Sequence, residues 1–252
     1  MKRLSSILLM LLALVKVSGS QEVDSLYLSA NEAYSEGLYE AAIENYSMII
    51  QAGFESADLY FNMGNAAFRS NKLGYSVLYY KKALKLDPQH EEAVTNLGYV
   101  LKYKEDNLDQ VPELFLRKWM RSVYHLFTLK TWSLLSIVFF ALLLLGVLLY
   151  IFPRRMGVKK TGFFSGLMAF VFFIISLTAA IERTQEINDP DEAVIIDPSV
   201  VVKSSPSLSG TDLFVLHEGT EIVLNETISG WMEIRISDGR MGWIPEESLA
   251  LI

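Results

Sequence analysis

Two apolar runs organise this chain: TWSLLSIVFFALLLLGVLLYIF over Thr131–Phe152 and GFFSGLMAFVFFIISLTAAI over Gly162–Ile181. Neither run contains a charged residue, and each is long enough for a helix that crosses a hydrocarbon layer of about 30 Å. Only residues 153–161 separate them, so the two helices form a hairpin that returns the chain to the side it left. The alternative is a buried helix pair in a soluble protein, but uncharged runs of this length exceed ordinary core helices.

The composition of the whole chain excludes several classes of function. Its formal net charge is −7, whereas nucleic-acid binding needs a basic surface. The sequence has no cysteine, which excludes a disulfide framework, a thiol nucleophile and a cysteine-based metal site. The histidines His90, His125 and His217 lie in three different regions, so the sequence has no metal-ligand spacing and predicts no metal or other cofactor.

The sequence also predicts that the protein is not an enzyme. It has no glycine-rich phosphate-binding loop of the Walker or dinucleotide type. The paired carboxylates Glu91-Glu92 and Glu246-Glu247 are more simply explained as solvated residues at a helix start or a turn.

The N-terminus, Met1–Ser20, has the order of a secretory signal. Lys2 and Arg3 are followed by an apolar run over Leu4–Val15 and then by small, polar residues. Cleavage after Gly19 or Ser20 fits this order, and an uncleaved anchor is the alternative. Both interpretations put residue 21 onward outside the cytoplasm.

Charge alone does not orient the hairpin. The loop at 153–161 carries Arg154, Arg155, Lys159 and Lys160, which favours the cytoplasm. The opposite side has five cations, so the charge count does not determine the orientation. The N-terminal signal determines it, and we expect an inner-membrane protein with a cytoplasmic loop and two periplasmic domains. Those five cations are Arg117, Lys118, Arg121, Lys130 and Arg183.

Residues 108–130 precede the first apolar run and mix aromatic, aliphatic and basic side chains. Arg117, Arg121 and Tyr124 fall on one face of a helix, and Trp119 and Val123 fall on another. We expect an amphipathic segment along the lipid headgroups. A simple helical extension of the first span into the preceding domain is the alternative.

Residues 21–107 contain an internal repeat. The shift that aligns Tyr46 with Tyr80 also aligns Ala42 with Ser76, and it equals the tetratricopeptide period of about 34 residues. The segment Ala57–His90 resembles that family closely, with aromatic, glycine, small and proline residues where the motif has them. About two and a half units predict an all-α antiparallel stack of about five helices.

The resemblance implies a peptide-binding groove along the first helix of each unit. A clamp for a terminal carboxylate is not expected, because Tyr27, Glu92 and Asn96 replace its basic residues. Packing of the groove's aromatic residues against the chain's own segment Leu108–Phe127 is the alternative to peptide binding. The predicted groove residues are Tyr27, Asn31, Tyr34, Phe61, Asn65, Phe68, Arg69, Tyr99 and Lys102.

After an acidic linker at 182–191, residues 192–252 change to a period of two. Short β-type runs divided by turn residues predict a small closed all-β barrel, and Asp238-Gly239 predicts a two-residue hairpin with positive φ at both positions. The pattern over Ser199–Ser207, Glu218–Thr220, Gly230-Trp231 and Asp238–Pro245 resembles a bacterial SH3 domain. Some relatives bind cell-wall peptides, so Trp231 and Trp243 are either a ligand surface or, as we expect, core residues.

The order of all modules resembles the BatE proteins of the Bacteroides aerotolerance operon family. The resemblance covers the whole chain, including the Pro112–Trp119 segment before the first span. It implies a non-catalytic membrane scaffold in an aerotolerance or envelope stress complex, with von Willebrand A-type membrane proteins and a MoxR-type ATPase. The alternative function is an envelope sensor that binds peptidoglycan through its SH3-like domain.

Overall fold

The N-terminal half of the molecule is a stack of antiparallel helices. The computed structural model describes residues 23–108, 115–188 and 192–252, so the predicted signal at Met1–Ser20 lies outside the described residues. Residues 23–35 form α1, and a 3₁₀ turn at Leu101–Tyr103 ends the stack. The helices between them are α2 Tyr39–Gln51, α3 Ala57–Arg69, α4 Leu73–Leu86 and α5 Glu91–Val100. The predicted stack of about five helices, which we call the repeat stack, is confirmed.

Small residues let neighbouring helices of the stack approach closely. Gly64 of α3 faces Tyr80 of α4, and a Cβ atom at Gly64 would lie 2.7 Å from that ring. Beside it, Ser76 donates a hydrogen bond of 3.0 Å to the Gly64 carbonyl. Gly37 and Asn71 end α1 and α3 with positive φ, and they occupy equivalent positions in successive repeats.

Two long apolar helices follow a short one. Helix α6 spans Phe115–Tyr124, α7 spans Leu129–Ile151 and α8 spans Met156–Asn188. Both α7 and α8 are long and apolar enough to cross a membrane. They pack through glycines, because a Cβ at Gly146 would lie 2.6 Å from the Cα of Gly166.

The bounds of α8 correct two sequence expectations. The helix begins at Met156, inside the predicted loop 153–161, and continues through Asn188, into the predicted linker 182–191. Contacts of Arg183 stabilise the extra turns of α8 beyond Ile181. The Arg183 side chain is fully buried and pairs with Glu186 one turn later. The linker prediction is therefore wrong for residues 182–188.

Residues 192–252 form one antiparallel sheet, the β domain. Its strands are β1 Glu192–Ile195, β2 Ser199–Lys203, β3 Asp212–His217, β4 Glu221–Ile228, β5 Trp231–Ile236, β6 Met241–Pro245 and β7 Leu249–Leu251. Their hydrogen-bonded order is β3-β2-β6-β5-β4-β1-β7, and all seven strands contribute side chains to one buried core. The strand at Leu249–Leu251 lies outside the β-type runs of the sequence, and it pairs with β1. These residues therefore form a small antiparallel β domain, as the sequence predicts.

The hairpin turns differ from the predicted ones. At Asp238-Gly239 only the glycine has positive φ, and the Gly239 amide bonds to the Ile236 carbonyl at 2.9 Å, which gives a three-residue loop. The turn with positive φ at both central positions is Ser229-Gly230, between β4 and β5. The sequence therefore located one hairpin but assigned it the wrong turn.

The β domain packs against α4. Val194 and Ile252 are buried in the core of the repeat stack, while Lys81 forms a salt bridge of 2.6 Å with Glu221. The approach requires Gly74, because a Cβ there would lie 2.7 Å from the Ile195 carbonyl oxygen. The two domains therefore share one apolar core at this interface.

Candidate protein-binding groove

The first helices of the repeats lie side by side and are joined by side-chain amides. Asn62 of α3 donates a hydrogen bond of 2.8 Å to the Tyr27 hydroxyl of α1. Asn96 of α5 donates one of 2.9 Å to Asn65 Oδ1 of α3. Because Asn62 and Asn96 occupy the same position of successive repeats, the repeat places one such link at each junction.

Each repeat also holds its two helices together by the same tyrosine–asparagine bond. Tyr46 donates to Asn31 Oδ1 and Tyr80 to Asn65 Oδ1, both at 2.6 Å. Burial raises the pKa of Tyr46 and of Tyr80 to about 12, so both hydroxyls keep their protons and remain donors near neutral pH. The Oδ1 atoms of Asn31 and Asn65 are thus engaged in hydrogen bonds within the stack.

At the start of the first helices lies an open cleft of about 580 Å³. Tyr27, Phe61 and Asn62 supply its uncharged wall from α1 and α3. The rest of its lining comes from the start of α3 and from the turn into α5: Asp58, Asp87, Gln89, His90, Glu91 and Glu92. The cleft is lined by four carboxylates and by no lysine or arginine, so it favours a positively charged occupant.

His90 organises the acidic side of the cleft. Its ring packs on Phe61 with centroids 4.9 Å apart, and its Nδ1 accepts a hydrogen bond of 3.2 Å from the Ala93 amide as the cap of α5. Its Nε2 lies 3.2 Å from the carboxylate of Asp58. The side chains of Asp58 and Glu92 remain 81% and 72% exposed, so both are accessible from the cleft.

The other predicted groove residues lie at the opposite ends of the same helices. Phe68 packs edge-on against Tyr99 at 5.8 Å, and the Lys102 ammonium lies 6.0 Å from the Tyr99 ring. Arg69 lies over Tyr39 at 5.1 Å. Tyr34 packs against the same Tyr39 ring at 5.4 Å. These residues form an aromatic cluster separate from the cleft.

Of the nine predicted groove residues, only Tyr27 and Phe61 line the cleft. The sequence carried a signal for its acidic side, because Asp58 and Glu92 occupy the same position of successive repeats. The sequence alone indicates a solvated helix-start residue at Glu92, and the two carboxylates do lie in the first turns of α3 and α5. They therefore stabilise the helix termini and also line the cleft.

The alternative to peptide binding is that the segment Leu108–Phe127 covers the aromatic residues of the groove. Part of that segment is described by the structure. Leu108 packs instead against the core of the β domain. At the far end, Phe127 packs edge-on against Trp132 of α7 at 5.2 Å. Residues 109–114 lie outside the described residues.

The two tryptophans of the β domain lie outside its core. Trp231 shares a strand face with Glu233, and Trp243 is the cross-strand partner of Glu233, while the alternate residues Met232 and Ile234 are buried. Both tryptophans are half-buried. The expectation that they fill the core is therefore wrong, because strand alternation puts them on the outer face.

No group of three histidine, aspartate or glutamate side chains suited to a metal occurs in residues 23–108, 115–188 and 192–252.

Comparison with known proteins agrees with the repeat geometry. The family profile described as "Tetratricopeptide repeat" matches residues 57–90. The Photosystem I assembly protein Ycf3 of Acaryochloris marina (strain MBIC 11017) is 26% identical over 98 residues, which are 38% of this chain and 59% of that protein. This chain spans about three fifths of that relative's length. It contains a tetratricopeptide repeat, a module whose stacked helices form concave surfaces for binding other proteins.

Proposed function

We propose that this chain is a non-catalytic scaffold of the bacterial inner membrane that holds partner proteins in the cleft of its repeat stack. Helices α7 and α8 anchor it as a two-pass hairpin. The signal at Met1–Ser20 sends the repeat stack and the β domain to the periplasm, and the loop at 153–161 faces the cytoplasm.

The cleft is the observation that carries this proposal. It is open, has an aromatic wall from Tyr27 and Phe61, and has accessible carboxylates at Asp58 and Glu92. An extended segment with lysine or arginine side chains complements it, since opposite charges across an interface favour association. A terminal carboxylate would be repelled by the same residues.

Two further observations support a role in an assembly. The relative from Acaryochloris marina is named as an assembly protein. The order of modules also resembles BatE proteins, which makes von Willebrand A-type membrane proteins and a MoxR-type ATPase, in an aerotolerance or envelope stress complex, the partners to test first.

A matched set of neutral variants tests the cleft. Partners are crosslinked in native membranes and purified with the chain in mild detergent, for the wild type and for Asp58→Asn combined with Glu92→Gln. We expect the double variant to recover several-fold less partner, because its cleft has lost two negative charges. The wild type should also recover less partner at high salt, because screening weakens exposed charge pairs. Asp24→Asn is the control, because Asp24 lies one repeat before Asp58 and outside the cleft lining.

The proposal fails if the double variant recovers as many partners as the wild type and the control. Circular dichroism of each variant separates this outcome from unfolding.

A second candidate function, peptidoglycan binding by an SH3-like β domain, is favoured by one observation, the outward position of Trp231 and Trp243. Partly exposed aromatic side chains on the outer face of a sheet suit stacking on a wall peptide or sugar. The full chain in detergent should then sediment with isolated cell wall, and Trp231→Ala should reduce the sedimented fraction. Equal sedimentation of the two proteins, or none, rejects this function.

A further inference from the structure

We propose that α6 lies in the plane of the membrane surface, with its apolar side in the outer acyl chains and its basic side on the headgroup phosphates. This inference rests on the insertion of α7 and α8 in the proposed function. It adds a third membrane contact to the two spans, at the foot of the repeat stack.

The apolar side of α6 carries large side chains that the described residues leave mostly exposed. Phe115 is 82% exposed and Trp119 is 57% exposed, and both lie one turn apart on the same side of the helix. Leu126 and Phe127, in the turn after the helix, are also exposed. A soluble protein rarely leaves so many large apolar side chains together in water.

The helix is held at the end of the first candidate span. It ends at Tyr124, and α7 begins at Leu129 after Thr128, whose hydroxyl accepts a hydrogen bond from the Thr131 amide. The Trp132 indole donates a hydrogen bond of 2.8 Å to the Tyr124 carbonyl. Tyr124 also packs against the buried cluster of Trp132, Ala179 and Ala180. These contacts fix α6 beside the level at which the spans would leave the hydrocarbon.

The apolar side of α6 is continuous with the apolar surface of α7, which identifies lipid as its occupant. Exposed apolar side chains resume on α7 at Leu134 and Ile137, which on insertion face the acyl chains. The surface of α6 adjoins that lipid-facing surface, so the same lipids reach both. Trp119 has the amphipathic ring that collects at membrane interfaces.

The charge on the other side of α6 fits the headgroups. At 100° per residue, Arg121 lies on the opposite side of the helix from Trp119. Arg121 is exposed, and Lys130 is exposed at the start of α7. Cations at this height pair with lipid phosphates and keep the helix from sinking deeper.

Spin labels on single cysteines test the orientation in the full chain, and the native sequence has no cysteine to remove. The chain is reconstituted in nanodiscs of phosphatidylethanolamine and phosphatidylglycerol, with a label at Trp119→Cys, Arg121→Cys or Phe140→Cys. Collision with oxygen and with a water-soluble nickel complex reports depth. We expect the label at position 119 to lie about 5–10 Å below the phosphates. The label at 121 should be at or above them, and the label at 140 near the bilayer centre.

Each other outcome overturns the inference. Equal nickel accessibility at positions 119 and 121 means that α6 stands in water. Protection of position 119 from both reagents means that a protein, either a partner or a second copy, covers it. In both cases a deep label at position 140 leaves the proposed membrane insertion intact. A nickel-accessible label at position 140 refutes the membrane insertion of α7 and α8 and, with it, the position of α6.

Discussion

Arg183 of α8 donates a hydrogen bond of 2.5 Å from Nη2 to the backbone carbonyl of Lys85 in α4, 98 positions away in the chain. The Arg183 side chain is fully buried, pairs with Glu186 and lies 3.4 Å from His125 Nε2. The Arg183 cation, placed at the last turn of α4, also stabilises the partial negative charge of that helix end. The repeat stack is thereby joined to the top of the apolar helix pair.

Replacing this arginine should loosen that junction. Arg183→Met removes the Arg183 donor from the Lys85 carbonyl and the Arg183 cation from Glu186. Because the Glu186 side chain is 40% exposed and also lies 3.1 Å from His125 Nε2, the cost is that of a lost hydrogen bond to a charged group, about 1.5–3 kcal/mol. We expect a lower melting temperature in detergent and faster amide exchange at the end of α4. Arg155→Met, in the exposed turn before α8, should change neither quantity, and equal stability of the two variants would contradict the role of Arg183.

The contact between Asp106 and His217 should make the chain less stable as the pH rises above neutrality. The His217 amide and ring Nδ1 lie 2.8 and 2.9 Å from the Asp106 carboxylate, and Thr220 donates to it at 2.6 Å. The hydrogen bond with Asp106 raises the pKa of His217 above its ordinary 6.5, more than burial lowers it, and Glu105 adds to the rise.

The pKa of Asp106 moves the other way. Burial alone would raise it, but the bonds from Thr220 and His217 outweigh burial and hold it below 3.8. The stability from His217 is complete below pH 6.5 and is lost as the pH rises through its raised pKa. That from Asp106 is complete above pH 3.8 and is lost as the pH falls through its lowered pKa. Melting temperatures should therefore fall from pH 6 to pH 8.5, and this fall should largely disappear in His217→Gln.

Two glycines at equivalent repeat positions should respond oppositely to alanine. In Gly64→Ala the new Cβ would lie 2.7 Å from the Tyr80 ring, so we expect a loss of about 1–3 kcal/mol in the free energy of unfolding. In Gly98→Ala the Cβ meets nothing within 4 Å, and helix α5 should gain about 0.5–1 kcal/mol. Denaturant titration of both variants measures the difference, and a loss in both would contradict the open space beside Gly98.

A substitution in the β domain should weaken the repeat stack. Val194 is fully buried in the core of the stack, so Val194→Ala should cost about 2 kcal/mol and speed amide exchange in α4. Val201 is 38% exposed on β2, and Val201→Ala should leave exchange in α4 unchanged. If Val194→Ala changes exchange only within the β domain, the two domains do not share a core.

The parts of the fold that repeat locally could be predicted from the sequence. Tyr46 and Tyr80 indicated the stack because the same packing position recurs in successive repeats. The outward position of Trp231 was also readable, since strict alternation groups it with Glu233 and Arg235 rather than with Met232 and Ile234.

Long-range contacts could not be predicted in the same way. Arg183 follows an apolar run and suggests the end of a helix in water, yet the Lys85 carbonyl, distant in sequence, provides the partner that buries it. The cleft also depends on residues that are distant in sequence, because Tyr27 and Glu92 line the same cleft only when α1 and α5 stack on α3. Their local sequence indicates a groove residue and a helix start.

Helix α8 is a continuous helix that connects the turn after α7 to the repeat stack. It runs without interruption from Met156 through Arg183, a length of about 40 Å at 1.5 Å per residue. In the proposed membrane orientation, tilt of this rod adjusts to bilayer thickness. A tilt change of about 10° about the Met156 end would carry Arg183 sideways by roughly 7 Å over this length. Because Lys85 is bonded to that end, the cleft would turn with it, so bilayer thickness would contribute to the direction in which the proposed scaffold presents its binding face.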